Sequence, residues 1–481
     1  MSGLMSRTVV LTVSRLSNFA IHLLSPLLLV RILEVSAYGQ YQEFMIYATI
    51  LTVLCAFAVD SSLTYFLPRY PQRERAFVTQ TSGVTLLISV CVLSTLLLSK
   101  DLLLRAASYD FVAPLAAYTF FFVNLNWIEY FWIAKRQPRK VLYYSAVRLV
   151  IRVGTAVLVA YYSRDVLTIV WSLAVVEALR VALVLVYFVR QKTFVRDIKP
   201  SELVEQLRFA GPIGASALVQ QASRNIGKLF IGGTLGPIAL AYYATGSYLQ
   251  PLVRVTRSGI EDAVYPELVR AHNEPGGAVR LWQRVNVLNC ALFFPASLLL
   301  IYYAEQIITA LFTSAYLPAV PIFCVYALYL VRRCFNTDVL LRTTGRSGFM
   351  LWGATGALVV NISLIAVLSR TLGMIGPAIA FIIAELAAEL YYINRTLRAL
   401  GLSVAALADW ASILRILVSC ILALPIPMAF DLVSGNEIFR AIGSSLVYLM
   451  AVLWLAHRLG VKDIGRVVDY LRSRLHGRAI P

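Results

Sequence analysis

Apolar residues in this 481-residue chain fall in consecutive blocks that fill nearly the whole sequence. Each block is about 20 to 25 residues long, and a helix of that length crosses the roughly 30 Å of hydrocarbon in a bilayer. Helices also satisfy their own backbone polar groups, as a lipid environment requires. Only 14% of the residues are charged, against roughly 25% in soluble domains. The pattern predicts an all-α integral membrane protein and excludes a sizeable water-soluble domain.

About fourteen membrane helices are predicted from the apolar blocks and the polar breaks between them. The predicted spans are 8–32, 41–66, 77–98, 112–134, 142–162, 166–189, 209–231, 240–262, 285–303, 319–341, 349–369, 376–394, 411–430 and 439–457. We expect the first block to be a retained membrane helix, because no small-residue cleavage site follows it.

The distribution of basic residues tests this topology. With the N-terminus placed inside, 26 of the 43 Lys and Arg residues fall in inner segments and six fall in outer loops. Such an excess on the cytoplasmic side is the rule for helical membrane proteins, and a missed span would invert every later loop. The chain is therefore predicted to be a multi-pass bacterial inner-membrane protein with both termini in the cytoplasm.

A weak internal repeat divides the chain. LEVSAYGQY at 33–41 and LGPIALAYY at 235–243 lie 202 residues apart, each on the outer side between two spans. A recurrence in the same topological place predicts two pseudo-symmetric six-helix lobes. The predicted parts are an N-lobe at 1–195, a cytoplasmic linker at 196–208, a C-lobe at 209–400, two further helices within 401–457 and a basic cytoplasmic tail at 458–481.

Arg31 and Arg440 lie within two residues of an outer span end and are counted with the outer loops; eleven other basic residues lie inside the predicted spans. A charge at that depth costs roughly 2.5 to 3.5 kcal/mol on insertion scales and is usually tolerated only against protein or water. Several are spaced three or four residues apart, so like charges share a helix face, which favours a bound anion over an alternating ion-pair network. A cationic central cavity is predicted. Its candidate substrate-binding residues are Arg15, Arg148, Arg152, Arg224, Lys228, Arg254, Arg257 and Arg332.

Other roles remain open for some of these charges. Arg254 and Arg257 lie near enough to the inner surface to extend their side chains into the headgroups. Arg180 follows Glu177 by three residues, which favours a local ion pair. At most one of the adjacent Arg332 and Arg333 can point squarely into a cavity.

Acidic residues in the spans suggest ion coupling. Asp60, Glu385 and Glu389 could bind H⁺ or Na⁺ and couple a gradient to transport, although neutralisation of neighbouring arginines is the favoured alternative. The chain has no nucleotide-binding phosphate loop, HExxH motif, nucleophile elbow or CxxC pair. We therefore expect neither an enzyme nor a metal or cofactor protein.

Four stretches of the sequence resemble the Wzx-type O-antigen and exopolysaccharide flippases. That family belongs to the superfamily that also contains the MATE drug exporters and the MurJ lipid II flippases. The stretches are LLLVRILEVSAYGQYQEFMIYATIL, KLFIGGTLGPIALAYYATGSYLQPL, AVYPELVRAHNEPGGAVRLWQRV and LFTSAYLPAVPIF. Many relatives carry an acid just before the basic residue of the seventh span, where this chain has Gly227 before Lys228. If that acid couples ions in relatives, its role is absent or moved here.

The resemblance implies a substrate and a mechanism. It implies alternating access through the cavity, carrying undecaprenyl-pyrophosphate-linked oligosaccharide from the inner to the outer leaflet for export of lipopolysaccharide O-antigen or exopolysaccharide. Membrane lipids, a polymerase and other assembly proteins are the expected partners, and nucleic acid is not. Two alternatives remain: a MATE-like multidrug exporter, which the excess of interior basic residues disfavours, and a membrane polymerase or glycosyltransferase, which the short outer loops disfavour.

Overall fold

The protein is described from a computed structural model that covers residues 24–99, 111–195, 197–250, 264–265, 267–268, 270–271, 276–335, 337–343, 348–431 and 437–461. Every regular element in these ranges is helical, which confirms the predicted all-α class. The helices are α1 (Val35–Ala56), α2 (Val59–Arg69), α3 (Glu74–Leu98), α4 (Val112–Val123), α5 (Ile128–Ala134), α6 (Pro138–Ser163), α7 (Val166–Arg190), α8 (Pro200–Gly246), α9 (Gly277–Tyr302), α10 (Ala304–Leu311), α11 (Val320–Arg332), α12 (Thr337–Thr343), α13 (Gly348–Leu372), α14 (Gly376–Leu400), α15 (Val404–Leu407), α16 (Trp410–Ala423), α17 (Pro425–Asp431) and α18 (Glu437–Arg458).

Nine helical stretches in the described ranges are long and apolar enough to cross a membrane. One of them, Phe349–Leu400, contains both α13 and α14, which pack along each other as a hairpin. Most of the first predicted span, the second half of the eighth and the tail beyond residue 461 lie outside the described residues.

Four predicted spans are interrupted rather than continuous. The breaks lie between α1 and α2 at Phe57–Ala58, between α4 and α5 at 124–127, after the end of α11 at 333–335, and between α16 and α17 at Leu424. Phe57 and Ala58 have left-handed φ values of 42° and 59° although neither is glycine. Prolines and glycines are absent from the first three breaks, so contacts with other helices must satisfy the backbone groups that each of these breaks exposes.

The chain divides into two compact units. Unit 1 is Met1–Ala244 together with Leu311–Tyr316, and unit 2 is Thr245–Ala310 together with Leu317–Pro481. The lobe boundaries given by the repeat stay a prediction. Each unit has its own apolar core: that of unit 1 includes Phe66, Phe77, Trp127, Phe131 and Phe188, and that of unit 2 includes Trp282, Phe293, Phe294, Ile416 and Tyr448.

Helix α8 connects the predicted linker to the predicted seventh span without a break. Near its start, the buried Gln206 side chain accepts a hydrogen bond from Gln80 at 2.7 Å and donates to Ser62 and Thr81 at 2.7 and 2.8 Å. These bonds hold the first turns of α8 against α2 and α3. At the other end, Gly236 interrupts the helix with a φ of 81°, a conformation that favours glycine.

Candidate functional site

Buried charges in unit 1 gather around one carboxylate. Glu177 on α7 is 1% exposed, and its oxygens lie 2.5 Å from Arg180 Nε and 3.2 Å from Arg148 Nη2. Arg148 Nη1 is also 3.7 Å from Glu129 on α5. The predicted pair between Arg180 and Glu177 is confirmed. Arg148, which has no acidic residue at helical spacing on α6, receives its acidic partners from two other helices.

The same cluster holds the break between α4 and α5. Arg180 Nη2 donates to the main-chain carbonyls of Phe122 and Asn124 at 3.1 and 3.0 Å. Arg148 Nη1 donates to Asn126 Oδ1 at 2.9 Å. Carbonyls at the end of a helix lack intrahelical donors, and lipid supplies none. The guanidinium of Arg180 therefore acts as the cap of α4.

Aromatic rings of α4 cover the two arginines of α6. The guanidinium carbons of Arg148 and Arg152 lie 4.7 and 5.3 Å from the Phe122 ring centroid, and Arg152 also donates to the Tyr118 hydroxyl. Cation–π contacts of this kind strengthen when the cation is removed from water. Both arginines are thus held by neighbours within unit 1, a role that their spacing alone does not predict.

Unit 2 contains a second cluster at its own helix break. Arg332, at the end of α11, lies 2.9 Å from Glu389 and 3.7 Å from Glu385, both on α14. Arg333 approaches Glu385 at 3.3 Å. Glu389 Oε1 accepts hydrogen bonds from the main-chain N–H and the hydroxyl of Thr337 at 3.0 and 2.5 Å. The carboxylate therefore caps the first turn of α12.

The two clusters each cap a helix end at a break, and the capping charges have opposite signs. In unit 1 a guanidinium caps the carbonyl end of the helix before the break, and in unit 2 a carboxylate caps the amide end of the helix after it. Each capping charge is buried beside an ion of opposite sign, Glu177 for Arg180 and Arg332 for Glu389. An uncompensated buried charge would be strongly destabilising. These contacts fit the alternative in which the acids of α14 neutralise arginines.

A polar stripe on α8 differs from both clusters. Gln221, Arg224, Asn225 and Lys228 recur at helical spacing and share one face. Arg224 Nη2 donates to Gln221 Oε1 at 2.6 Å, while Asn225 Nδ2 donates to the Gln221 main-chain carbonyl at 3.0 Å. Arg224 and Lys228 are both partly exposed, so an anion could reach two positive charges one turn apart.

Several predicted site residues belong to neither the two clusters nor the polar stripe. Arg15, Arg254 and Arg257 lie outside the described residues. Asp60, in the first turn of α2, is partly exposed and accepts a hydrogen bond from the Ser61 N–H at 2.7 Å. Its role in ion coupling stays a prediction, as do those of Glu385 and Glu389. Within the described ranges, His, Cys, Asp and Glu do not gather in a group that could hold a metal ion.

One buried acid is absent from the predicted site residues. Glu43 lies in the predicted second span on α1 and is 3% exposed. A carboxylate inside an apolar block is itself the signal for such a residue. The aromatic partners of Arg148 and Arg152 were also missed, although the run Phe120-Phe121-Phe122 contains one of them.

Comparisons with known proteins agree with this architecture. A family model described as "Polysaccharide biosynthesis protein" matches residues 28–321. Curated proteins give no significant match. Among solved structures, lipid II flippase MurJ in an inward closed conformation aligns over 96% of this chain and 100% of its own, with a TM-score of 0.70 and 13% identity.

Two further structures share the fold less closely. The MATE multidrug transporter DinF-BH aligns over 83% of this chain and 96% of its own, with a TM-score of 0.53 and 17% identity. A MOP superfamily transporter from Pyrococcus furiosus, described by a reversed polarity of its binding pocket, aligns over 82% and 95%, with a TM-score of 0.57 and 15% identity. At these identities the likeness establishes the fold, which is that of the MurJ and MATE transporters with about fourteen helices.

Proposed function

Because the chain belongs to the polysaccharide biosynthesis protein family, we propose that it is a flippase that carries lipid-linked oligosaccharide from the inner to the outer leaflet of the bacterial inner membrane. The family match over residues 28–321 is the observation that carries the proposal. The fold adds support, since lipid II flippase MurJ aligns with nearly the whole chain. The carrier in this proposal is undecaprenyl pyrophosphate, and the product feeds polysaccharide export.

The polar stripe on α8 is the proposed contact for the pyrophosphate. Arg224 and Lys228 are partly exposed and lie one turn apart, and two cations at that spacing match a group that carries several anionic oxygens. Arg15, Arg254 and Arg257 are proposed to join them. Arg148, Arg152 and Arg332 were predicted to do the same, but their buried contacts with carboxylates and rings favour a structural role.

Alternating access and coupling to H⁺ or Na⁺ complete the proposal. The transported headgroup is an anion with a bulky glycan, so charge neutralisation at the stripe lowers the barrier to its passage. Multidrug export is the second candidate, because the MATE transporters share the fold. A cationic stripe is the wrong charge for cationic drugs, and drug susceptibility of a deletion strain separates the two functions.

The test replaces both cations of the stripe. The double variant Arg224→Gln, Lys228→Gln should lower export by about tenfold or more, because hydrogen bonds to charged groups are each worth about a factor of ten or more. The matched control is Lys199→Gln, Arg208→Gln, which removes two exposed cations at or near the start of α8. Export and membrane insertion are measured in a deletion strain complemented by each variant. Normal export from the stripe variant would contradict the assignment of the stripe.

A further inference from the structure

One short segment belongs to a different compact unit from the residues on either side of it in the chain. Leu311–Tyr316 belongs to unit 1, whereas the residues directly before and after it, Ala310 and Leu317, belong to unit 2. Phe312 and Tyr316 in this segment are almost completely buried, at 0% and 1% exposure. The segment therefore packs within unit 1 with both aromatic side chains buried, and Tyr316 makes its ring contacts to the rest of the unit.

The docking site is built from the two copies of the internal repeat. The Tyr316 ring contacts Tyr38 and Tyr242 edge-on, with ring centroids 5.8 and 6.0 Å apart. These two tyrosines come from the repeated stretches 33–41 and 235–243. The stretches also pack on each other, because a Cβ on Gly39 would lie 1.8 Å from the Pro237 carbonyl oxygen. Tyr316 thus sits where the two copies meet.

Two features of the docked segment raise the free energy of the docked state. Thr313 has a φ of 107°, which is a strained conformation for a β-branched residue. The Tyr316 hydroxyl is buried with no hydrogen-bond partner in the described part of the chain. A buried hydroxyl without a partner gains a hydrogen bond as soon as water reaches it. Both penalties would disappear if the segment undocked, while the aromatic contacts would be lost.

We propose that Leu311–Tyr316 is a strained latch, docked on the repeat junction in one transport state and released in the other. The proposal rests on the proposed transport function. Opposing terms of this kind keep two states close in free energy, which a transporter that must leave each state quickly requires. The unpaired hydroxyl and the strained Thr313 then set the lifetime of the docked state.

The Tyr316 hydroxyl gives an unusual test, since its removal should stabilise the latch. Tyr316→Phe keeps the ring contacts and removes the unpaired hydroxyl, so the latch should open less often, by about fivefold or more. Tyr316→Ala removes the ring contacts and should have the opposite effect. The control is Tyr303→Phe in unit 2, where the hydroxyl is 2.5 Å from Ser444 Oγ and lies outside the latch.

Opening is measured by hydrogen–deuterium exchange of the peptide covering residues 311–319 in the purified full chain, and transport is measured in the same variants. The latch predicts slower exchange and slower transport for Tyr316→Phe, faster exchange for Tyr316→Ala, and unchanged exchange in that peptide for Tyr303→Phe. Unchanged or faster exchange in Tyr316→Phe would overturn it. Because exchange needs no substrate, slower exchange without export of lipid-linked oligosaccharide by the wild type would refute the proposed function and leave the latch standing.

Discussion

Replacement of Arg180 with Met tests how the interrupted span α4–α5 is held. Arg180 Nε lies 2.5 Å from Glu177, and its Nη2 donates to the carbonyls of Phe122 and Asn124. Met occupies much of the same volume but leaves these groups without that donor. Removal of one partner from a buried ion pair costs about 3–5 kcal/mol. Arg148 still contacts Glu177 at 3.2 Å, so we expect a loss near the lower end, about 3 kcal/mol.

The free energy of unfolding is measured for the purified protein in bicelles by titration with a denaturing detergent. Arg190→Met is the matched control, because Arg190 lies on the same helix and is exposed. Its effect should stay within about 0.5 kcal/mol. A double variant with Glu177→Gln should lose less than the sum of the two single variants, since the stranded carboxylate is gone. Equal stabilities of Arg180→Met and Arg190→Met would refute the capping role.

Three further perturbations probe other contacts. Glu389→Leu should lower the free energy of unfolding by about 3 kcal/mol. Glu389→Gln should lower it by less, because the amide oxygen still accepts hydrogen bonds from the first turn of α12. Equal losses in the same titration would contradict the capping role of Glu389. Gly39→Val should destabilise the protein by at least about 1–3 kcal/mol, because the new Cβ would clash with the Pro237 carbonyl. The control is Gly83→Val, whose new side chain would point into open space, and it should leave the melting temperature unchanged. The Arg73 guanidinium lowers the pKa of Asp197, so the carboxylate contributes stability above its ordinary pKa and loses it as pH falls below about 4. The difference in melting temperature between wild type and Asp197→Asn should therefore be constant from neutral pH to about pH 5 and shrink below about pH 4. A difference that persists below about pH 4 would contradict the ion pair between Arg73 and Asp197.

The membrane class and most helix positions could be predicted from the sequence because their causes are local. Apolar block length determines where a helix can span. The orientation inferred from the excess of inner Lys and Arg stays a prediction. The pair between Glu177 and Arg180 was also predictable, since three residues along a helix bring two side chains together.

The helix breaks and the partners of the arginines could not be predicted in the same way. The break at 124–127 contains no proline or glycine, and it is stabilised by Arg180, which lies 56 residues after Asn124 in the chain. Arg148 meets Glu177 at a separation of 29 residues, across two helices. Such contacts depend on how helices pack, a property that spacing along one helix does not contain. Same-sign spacing therefore suggested anion binding for several arginines but could not show their ion pairs within a unit.

Movement of lipid-linked oligosaccharide across the membrane by this protein can be measured directly. The measurement is the leaflet distribution of undecaprenyl-pyrophosphate-linked oligosaccharide in a deletion strain, with and without the wild-type protein restored. Flipping predicts that the lipid-linked sugar is trapped on the inner leaflet without the protein and appears on the outer leaflet once it is restored. The same distribution in both strains would contradict the account.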